Sequence, residues 1–173
     1  MDLDKVIRKV SDFPIKGIRF YDITSVIGNP EAFSYCINKM VELYGDKKID
    51  AVAGVESRGF IFAAPFAEKM GIPLVLIRKA GKLPGTTLKA AYSLEYGKAE
   101  IEVHKSDVPQ GGNVLLIDDL LATGGTLEAS ARVLRDGGAR VENIFGVIGL
   151  PFLGYEKKLE GIEVTTLINY DSE

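Results

Sequence analysis

The chain has 173 residues, 46% of them hydrophobic, with 19 glycines, one cysteine and a net charge of −3. That length suits one domain with a substantial core, expected over residues 1–173, and the composition suits an α/β protein. The acidic balance argues against a nucleic-acid partner, the lone Cys36 excludes an internal disulfide, and no apolar stretch reaches membrane-spanning length.

Met1-Asp2-Leu3-Asp4-Lys5 lacks a signal-peptide pattern, so a soluble cytoplasmic protein without a membrane partner is expected. In chain order, helical spacing marks Asp4–Val10 and then Glu31–Tyr44. In the second, Phe33, Ile37, Met40, Val41 and Tyr44 form one face. Cys36 lies beside that face and reads as a small buried hydrophobe. A strand, Ala51–Val55, leads through Glu56-Ser57-Arg58-Gly59 into a helix, Phe60–Lys69. An arginine at such a turn is a planar donor fork, able to bind a doubly charged phosphate or to pair with a neighbouring carboxylate.

A strand at Leu74–Ile77 precedes the glycine-, proline- and lysine-bearing stretch Lys79–Gly97, expected to be an irregular lid or a solvated loop. The strand Ile101–His104 ends at the only histidine, so histidine catalysis and a His/Cys metal site have little support. The remaining elements are strands at Val114–Ile117, within Val141–Leu150 and at Val164–Ile168, and helices at Thr126–Arg135 and Tyr155–Leu159. Alternation of this kind predicts a mostly parallel central sheet flanked by helices, with ligands at the carboxyl ends of its strands.

The richest segment is Val114 to Thr126. An apolar run ends in Asp118 and Asp119, passes Leu120-Leu121-Ala122, and turns through Thr123-Gly124-Gly125-Thr126 into a helix. Unpaired N–H groups at a helix start attract phosphate, the glycines let the backbone come close, and the threonines add hydroxyls. The two acids are poorly placed for an anion but suit sugar hydroxyls or a metal; the alternative is an ordinary turn with solvated acids. A phosphorylated sugar satisfies both halves.

This string resembles the phosphoribosyl-pyrophosphate motif of type I phosphoribosyltransferases, in the form typical of the adenine-specific members. The resemblance extends to Asp12–Phe20, Gly54–Phe60, Ile77–Gly85 and Tyr92–Lys98, in the family's order and over most of the chain. It implies a type I phosphoribosyltransferase-like fold with a small N-terminal hood (residues 1–35) that binds the base and a flexible catalytic lid (79–97). The implied substrates are adenine and phosphoribosyl pyrophosphate, with Mg²⁺ as cofactor held mainly by the substrate and without a direct protein ligand. The products are AMP and pyrophosphate, a step of purine salvage, and the implied assembly is a homodimer.

The same resemblance assigns roles. Glu56, Ser57, Arg58, Arg78, Lys79 and Lys82 form the pyrophosphate site, with a cis peptide near Glu56–Ser57. Asp118, Asp119, Ala122, Thr123, Gly124, Gly125 and Thr126 hold the ribose and its 5′-phosphate. Phe20 stacks on adenine, Leu120 closes the other side, and backbone groups around Arg19 to Tyr21 read the base. Glu95, delivered with Tyr96 by lid closure, acts as acid on a purine nitrogen while Arg58 steadies the leaving charge. Members commonly show a basic residue where this chain has Tyr21, so the contribution of that side chain is open. Enzymes for xanthine or hypoxanthine and guanine usually carry other tails after the acidic pair. A nucleotide-sensing regulator of the same fold predicts an appended DNA-binding segment or a basic surface, neither of which appears here.

Overall fold

The structure is a computed structural model that describes residues 1–93 and 98–172. The chain opens with a 3-10 turn at Leu3–Lys5, capped by the Asp2 side chain. Strands β1 (Arg8–Ser11) and β2 (Arg19–Asp22) follow and pair antiparallel, Lys9 opposite Tyr21 and Val10 opposite Phe20. The helix expected over Asp4–Val10 is therefore replaced by a turn and a strand. Its residues find a backbone partner in β2, which local periodicity cannot reveal.

After the short α1 (Thr24–Ile27), α2 runs over Pro30–Tyr44. The Asn29 side chain accepts from the N–H groups of Glu31 and Ala32 at 3.1 Å each, and Pro30 occupies the first turn, where no N–H is needed. Cys36 is fully buried in this helix, and that burial pushes its thiol up to about 12. Next come β3 (Ala51–Val55), α3 (Arg58–Met70), β4 (Leu74–Lys79), β5 (Thr87–Ser93), β6 (Lys98–His104), β7 (Asn113–Leu121), α4 (Gly125–Asp136), β8 (Arg140–Gly149), α5 (Tyr155–Lys158) and β9 (Glu163–Asn169).

Seven strands form one sheet in the order β5-β6-β4-β3-β7-β8-β9. The pairs among β4, β3, β7, β8 and β9 are parallel, while β6 pairs antiparallel with both β4 and β5. Two findings amend the sequence reading. Thr87–Ser93 is a strand, because β6 offers it a full antiparallel partner from Thr87/His104 to Ser93/Lys98. And β7 continues through the acidic pair to Leu121, since β8 runs beside it as far as Gly149.

Successive side chains of β7 divide between the two faces of the sheet. Leu115 and Ile117 join Met40, Phe62 and Phe66 under α2 and α3. Val114 and Leu116 join Leu127, Ala131 and Leu134 under α4. Both faces are covered, so the central strands are apolar along most of their length and the chemistry falls toward their carboxyl ends.

Candidate active site

The parallel register decides which residues meet. Gly54 pairs with Ile117 and Val55 with Ile77, so the segments leaving β3, β4 and β7 emerge side by side. They enclose a cavity of about 360 Å³ whose walls include Glu56, Arg58, Arg78, Lys79, Asp118 and Asp119. Ser57, Leu120 and Thr126 also line it. A smaller hollow of about 90 Å³ adjoins it, formed by Ala122, Thr123, Gly124, Gly125 and Thr126 with Asp118 and Leu120.

Two helices begin at this edge. Neither α3 nor α4 has a side chain capping its first turn, so both starts present N–H groups to whatever anion fills the cavities. Gly124 precedes α4 with φ +78°, and a Cβ there would meet Tyr155 at 3.1 Å. Only glycine fits that turn. Gly59, in the first turn of α3, packs against β7 so closely that a Cβ would lie 2.8 Å from the Ile117 carbonyl oxygen and 3.2 Å from Asp118 Cα. The Glu56–Ser57 peptide just ahead of α3 is cis.

The charges are ordered before any ligand arrives. Arg58 Nε donates to Asp119 Oδ2 at 2.6 Å; Asp119 is 4% exposed and Arg58 48%. Arg58 thus pairs with a neighbouring carboxylate, and its half-exposed side chain also lines the cavity. Arg78 reaches Glu56 through Nε at 3.3 Å, and the Lys79 N–H donates to the same carboxylate at 2.9 Å. Burial works against the Glu56 charge, but those donors overcome it and hold the carboxyl below its usual range. Glu56 thus holds the Arg78 side chain and the Lys79 backbone along the cavity wall.

Asp118 is in the opposite condition. Desolvation, followed by the charge of Asp119, pushes its carboxyl well above the usual range, although it accepts the Asp119 N–H at 2.9 Å. A carboxyl so placed gains from donors that a ligand brings, such as sugar hydroxyls.

Sequence reasoning missed Glu102. It is 2% exposed and accepts the N–H groups of Lys82 and Leu83 at 2.7 and 2.8 Å, and the Thr87 hydroxyl at 3.3 Å. The Leu83 N–H chiefly holds its carboxyl below the usual range. Through these bonds Glu102 shapes the turn that carries Lys82, whose carbonyl in turn accepts from Arg78 at 3.2 Å. The polar face of β6, Glu100-x-Glu102-x-His104, looks solvent-facing in sequence; the turn folded over it buries the middle carboxylate. Tyr92, on β5, also lines the large cavity without having been assigned a role.

Lys82 lies outside the cavity wall, at the turn just described. Arg19 is exposed, Phe20 half-buried with its ring edge-on to Phe13 at 5.2 Å, and Tyr21 buried against Tyr170. Leu120 lines the large cavity and packs against the same apolar cluster that includes Tyr21, whereas Arg19, Phe20 and Tyr21 are not in the walls of either cavity. Glu95 and Tyr96 lie outside the described residues.

A parallel sheet whose strand ends present a cation cluster, an acidic pair and a glycine-threonine phosphate loop defines a phosphoribosyltransferase site, and residues 24–149 match the phosphoribosyl transferase domain model. The chain is 64% identical to an adenine phosphoribosyltransferase of Treponema denticola over 99% of its own length and 90% of that protein. In three dimensions it matches the adenine phosphoribosyltransferase of Thermoanaerobacter pseudethanolicus with TM-score 0.92 and 44% identity, covering 96% of this chain and 97% of that one. It also matches the Saccharomyces cerevisiae enzyme, solved with an imino-altritol bisphosphate and adenine, with TM-score 0.90 and 36% identity over 96% of each chain. The chain belongs to the adenine phosphoribosyltransferase family. No helix among the described residues is long and apolar enough to cross a membrane.

Proposed function

We propose that the chain transfers ribose 5-phosphate from phosphoribosyl pyrophosphate to N9 of adenine, releasing pyrophosphate and forming AMP for purine salvage. The observation that carries this reading is the joined pair of cavities. One has arginine and lysine walls sized for a pyrophosphate, the other a backbone-lined hollow for a 5′-phosphate, and Asp118 and Thr126 line both.

The 5′-phosphate sits on the N–H groups of Thr123 to Thr126 at the start of α4. Asp118 and Asp119 accept the ribose hydroxyls, which relieves the crowding of the two carboxyls. As the glycosidic bond breaks, negative charge collects on the departing pyrophosphate, where Arg58, Arg78 and Lys79 are already fixed. Cations placed before the charge develops need no reorganisation in the transition state. Mg²⁺ suits this donor set of hard carboxylate oxygens and would arrive on the pyrophosphate, neutralising part of its charge; Asp118 and Asp119 would face it through the ribose oxygens.

The sugar passes through an oxocarbenium-like state that water would capture, so we assign exclusion of water to the segment 79–97, which includes β5. Glu95, with Tyr96 assigned to the same step, donates a proton to a second ring nitrogen while the N9 proton leaves to solvent, which frees the N9 lone pair for attack; once the N9–C1′ bond forms, the ring proton returns to the Glu95 carboxylate. Adenine lies between Phe20 and Leu120, beneath a hood made of residues 1–35, with backbone groups of Arg19 to Tyr21 reading its edge. We place the protein in the cytoplasm as a homodimer; exposed Phe13, Ile15 and Ile61 are apolar surface that a second copy could cover.

The test is a product assay with phosphoribosyl pyrophosphate and Mg²⁺ against adenine, hypoxanthine, guanine and xanthine. AMP from adenine alone is the expected result, and turnover of another base in its place overturns the specificity. Light scattering of the purified chain reports the oligomer.

A further inference from the structure

We propose that Tyr170, near the C-terminal end of the described chain, is a positioning residue for base binding: its stack on Tyr21 latches strand β2 to the main sheet. This rests on the reading above that β2 presents Phe20 to adenine. Neighbouring side chains of a strand point to opposite faces. On β2, Phe20 goes one way, meeting Phe13, while Tyr21 goes the other and is 4% exposed. The Tyr21 and Tyr170 rings lie 3.9 Å apart between centroids and only 16° from parallel.

Further bonds hold the same junction. The Tyr170 hydroxyl donates to Asp4 Oδ1 at 2.8 Å, and Lys9 Nζ lies 2.6 Å from that same oxygen and over the Tyr170 ring at 5.4 Å. Tyr21 Oη donates to the Ser172 carbonyl at 3.3 Å. The 3-10 turn, β1 and β2 are thus each tied to the segment just after β9, whose N–H at Tyr170 is itself held by the Gly149 carbonyl at 3.0 Å. Among the described residues the two-stranded sheet has no strand pairing with the seven-stranded one, so these side chains and the shared apolar cluster hold it in place.

The test uses the full chain and its Tyr170→Leu, Tyr170→Phe and Asp4→Asn variants, with each substrate varied at saturation of the other and hydrogen exchange followed over residues 8–22. Tyr170→Leu should raise KM for adenine about tenfold, with kcat and KM for phosphoribosyl pyrophosphate within about twofold, the signature of lost base positioning without lost chemistry. Amides of β2 should exchange about tenfold faster. Tyr170→Phe keeps the stack and should stay within about threefold of the parent; Asp4→Asn, which serves if the leucine variant does not fold, should raise KM for adenine about threefold. An unchanged KM for adenine overturns the latch, as does a parallel rise in both KM values or unaltered exchange in β2. A parent chain that makes no AMP rejects the underlying function instead, and the exchange measurement still decides whether Tyr170 holds β2.

Discussion

Arg58 and Asp119 form an ion pair across the mouth of the cavity, Nε to Oδ2 at 2.6 Å, joining the start of α3 to the end of β7. The pair holds the guanidinium at the cavity wall and keeps a buried carboxylate satisfied; in the proposed reaction that is where the pyrophosphate charge develops. Arg58→Ala should lower kcat/KM by about 10²–10³-fold, as for loss of one preorganised donor to a developing anion. Arg58→Lys should recover only part, because an ammonium lacks the planar fork. Steady-state kinetics decide; near-parental turnover in Arg58→Ala rejects the role.

Asp118 is held above the usual carboxyl range by desolvation and then by the charge of Asp119. The folded chain therefore keeps this proton to higher pH than the unfolded chain, so its contribution to stability falls as pH rises from the ordinary carboxyl range through the raised value. Asp118→Asn should melt a few degrees above the parent at about pH 8, with the gap closing toward about pH 4. The same variant should use phosphoribosyl pyrophosphate at least about tenfold less well. Calorimetry across that pH range checks the sign: a parent more stable than the variant at the alkaline end contradicts it.

Glu102 acts on the site through the turn it organises. Glu102→Ala leaves the Lys82 and Leu83 N–H groups without their acceptor and should raise KM for phosphoribosyl pyrophosphate about tenfold while sparing KM for adenine. Glu102→Gln retains one acceptor oxygen and should fall between. Equal effects on both substrates would show general damage rather than a misplaced turn.

Gly59 sets how near α3 comes to the acidic pair. Because the atom that a methyl group would strike is the Ile117 backbone oxygen at 2.8 Å, Gly59→Ala must push the helix start away from β7. A displacement of even about 1 Å in a positioned group can cost about 10²-fold, which is the loss expected in kcat/KM. Kinetics and thermal melting on the same preparation measure both consequences, and an unperturbed enzyme would show that the contact is not restrictive.

For Glu95 the expectation comes from the acid role that the family resemblance implies. Glu95→Gln cannot deliver a proton, so kcat should fall by about 10²-fold or more, with AMP affinity little changed. Equilibrium binding of AMP beside single-turnover rates separates the two effects. An unchanged rate removes Glu95 from the acid role.

Much of the sheet was readable in sequence because β3, β7 and β8 are buried on both faces and carry apolar runs that end in turns. The turn from β7 into α4 was readable for a related reason: an apolar run gives way there to glycines and threonines that mark a helix start. The antiparallel elements were harder. Arg8–Ser11 and Thr87–Ser93 lack strong alternation and become strands through partners remote from local pattern. Glu102 escaped notice because its burial depends on a turn closing over an apparently polar strand face. The ion pair of Arg58 with Asp119 depends on a contact between residues 61 positions apart, which only the parallel register brings together.

That separation bears on how the chain acquires its activity. Strands β3 and β7 lie side by side in space, yet α3, β4, β5 and β6 are made between them. A ribosome-bound fragment ending before β7 would leave Arg58 without its Asp119 partner and one apolar edge of β3 uncovered. Assembly must await distant pairing, the slow kind of step in which a chain is most prone to aggregate. The Arg58–Asp119 pair can therefore form only after β7 has been made, some sixty residues after the arginine.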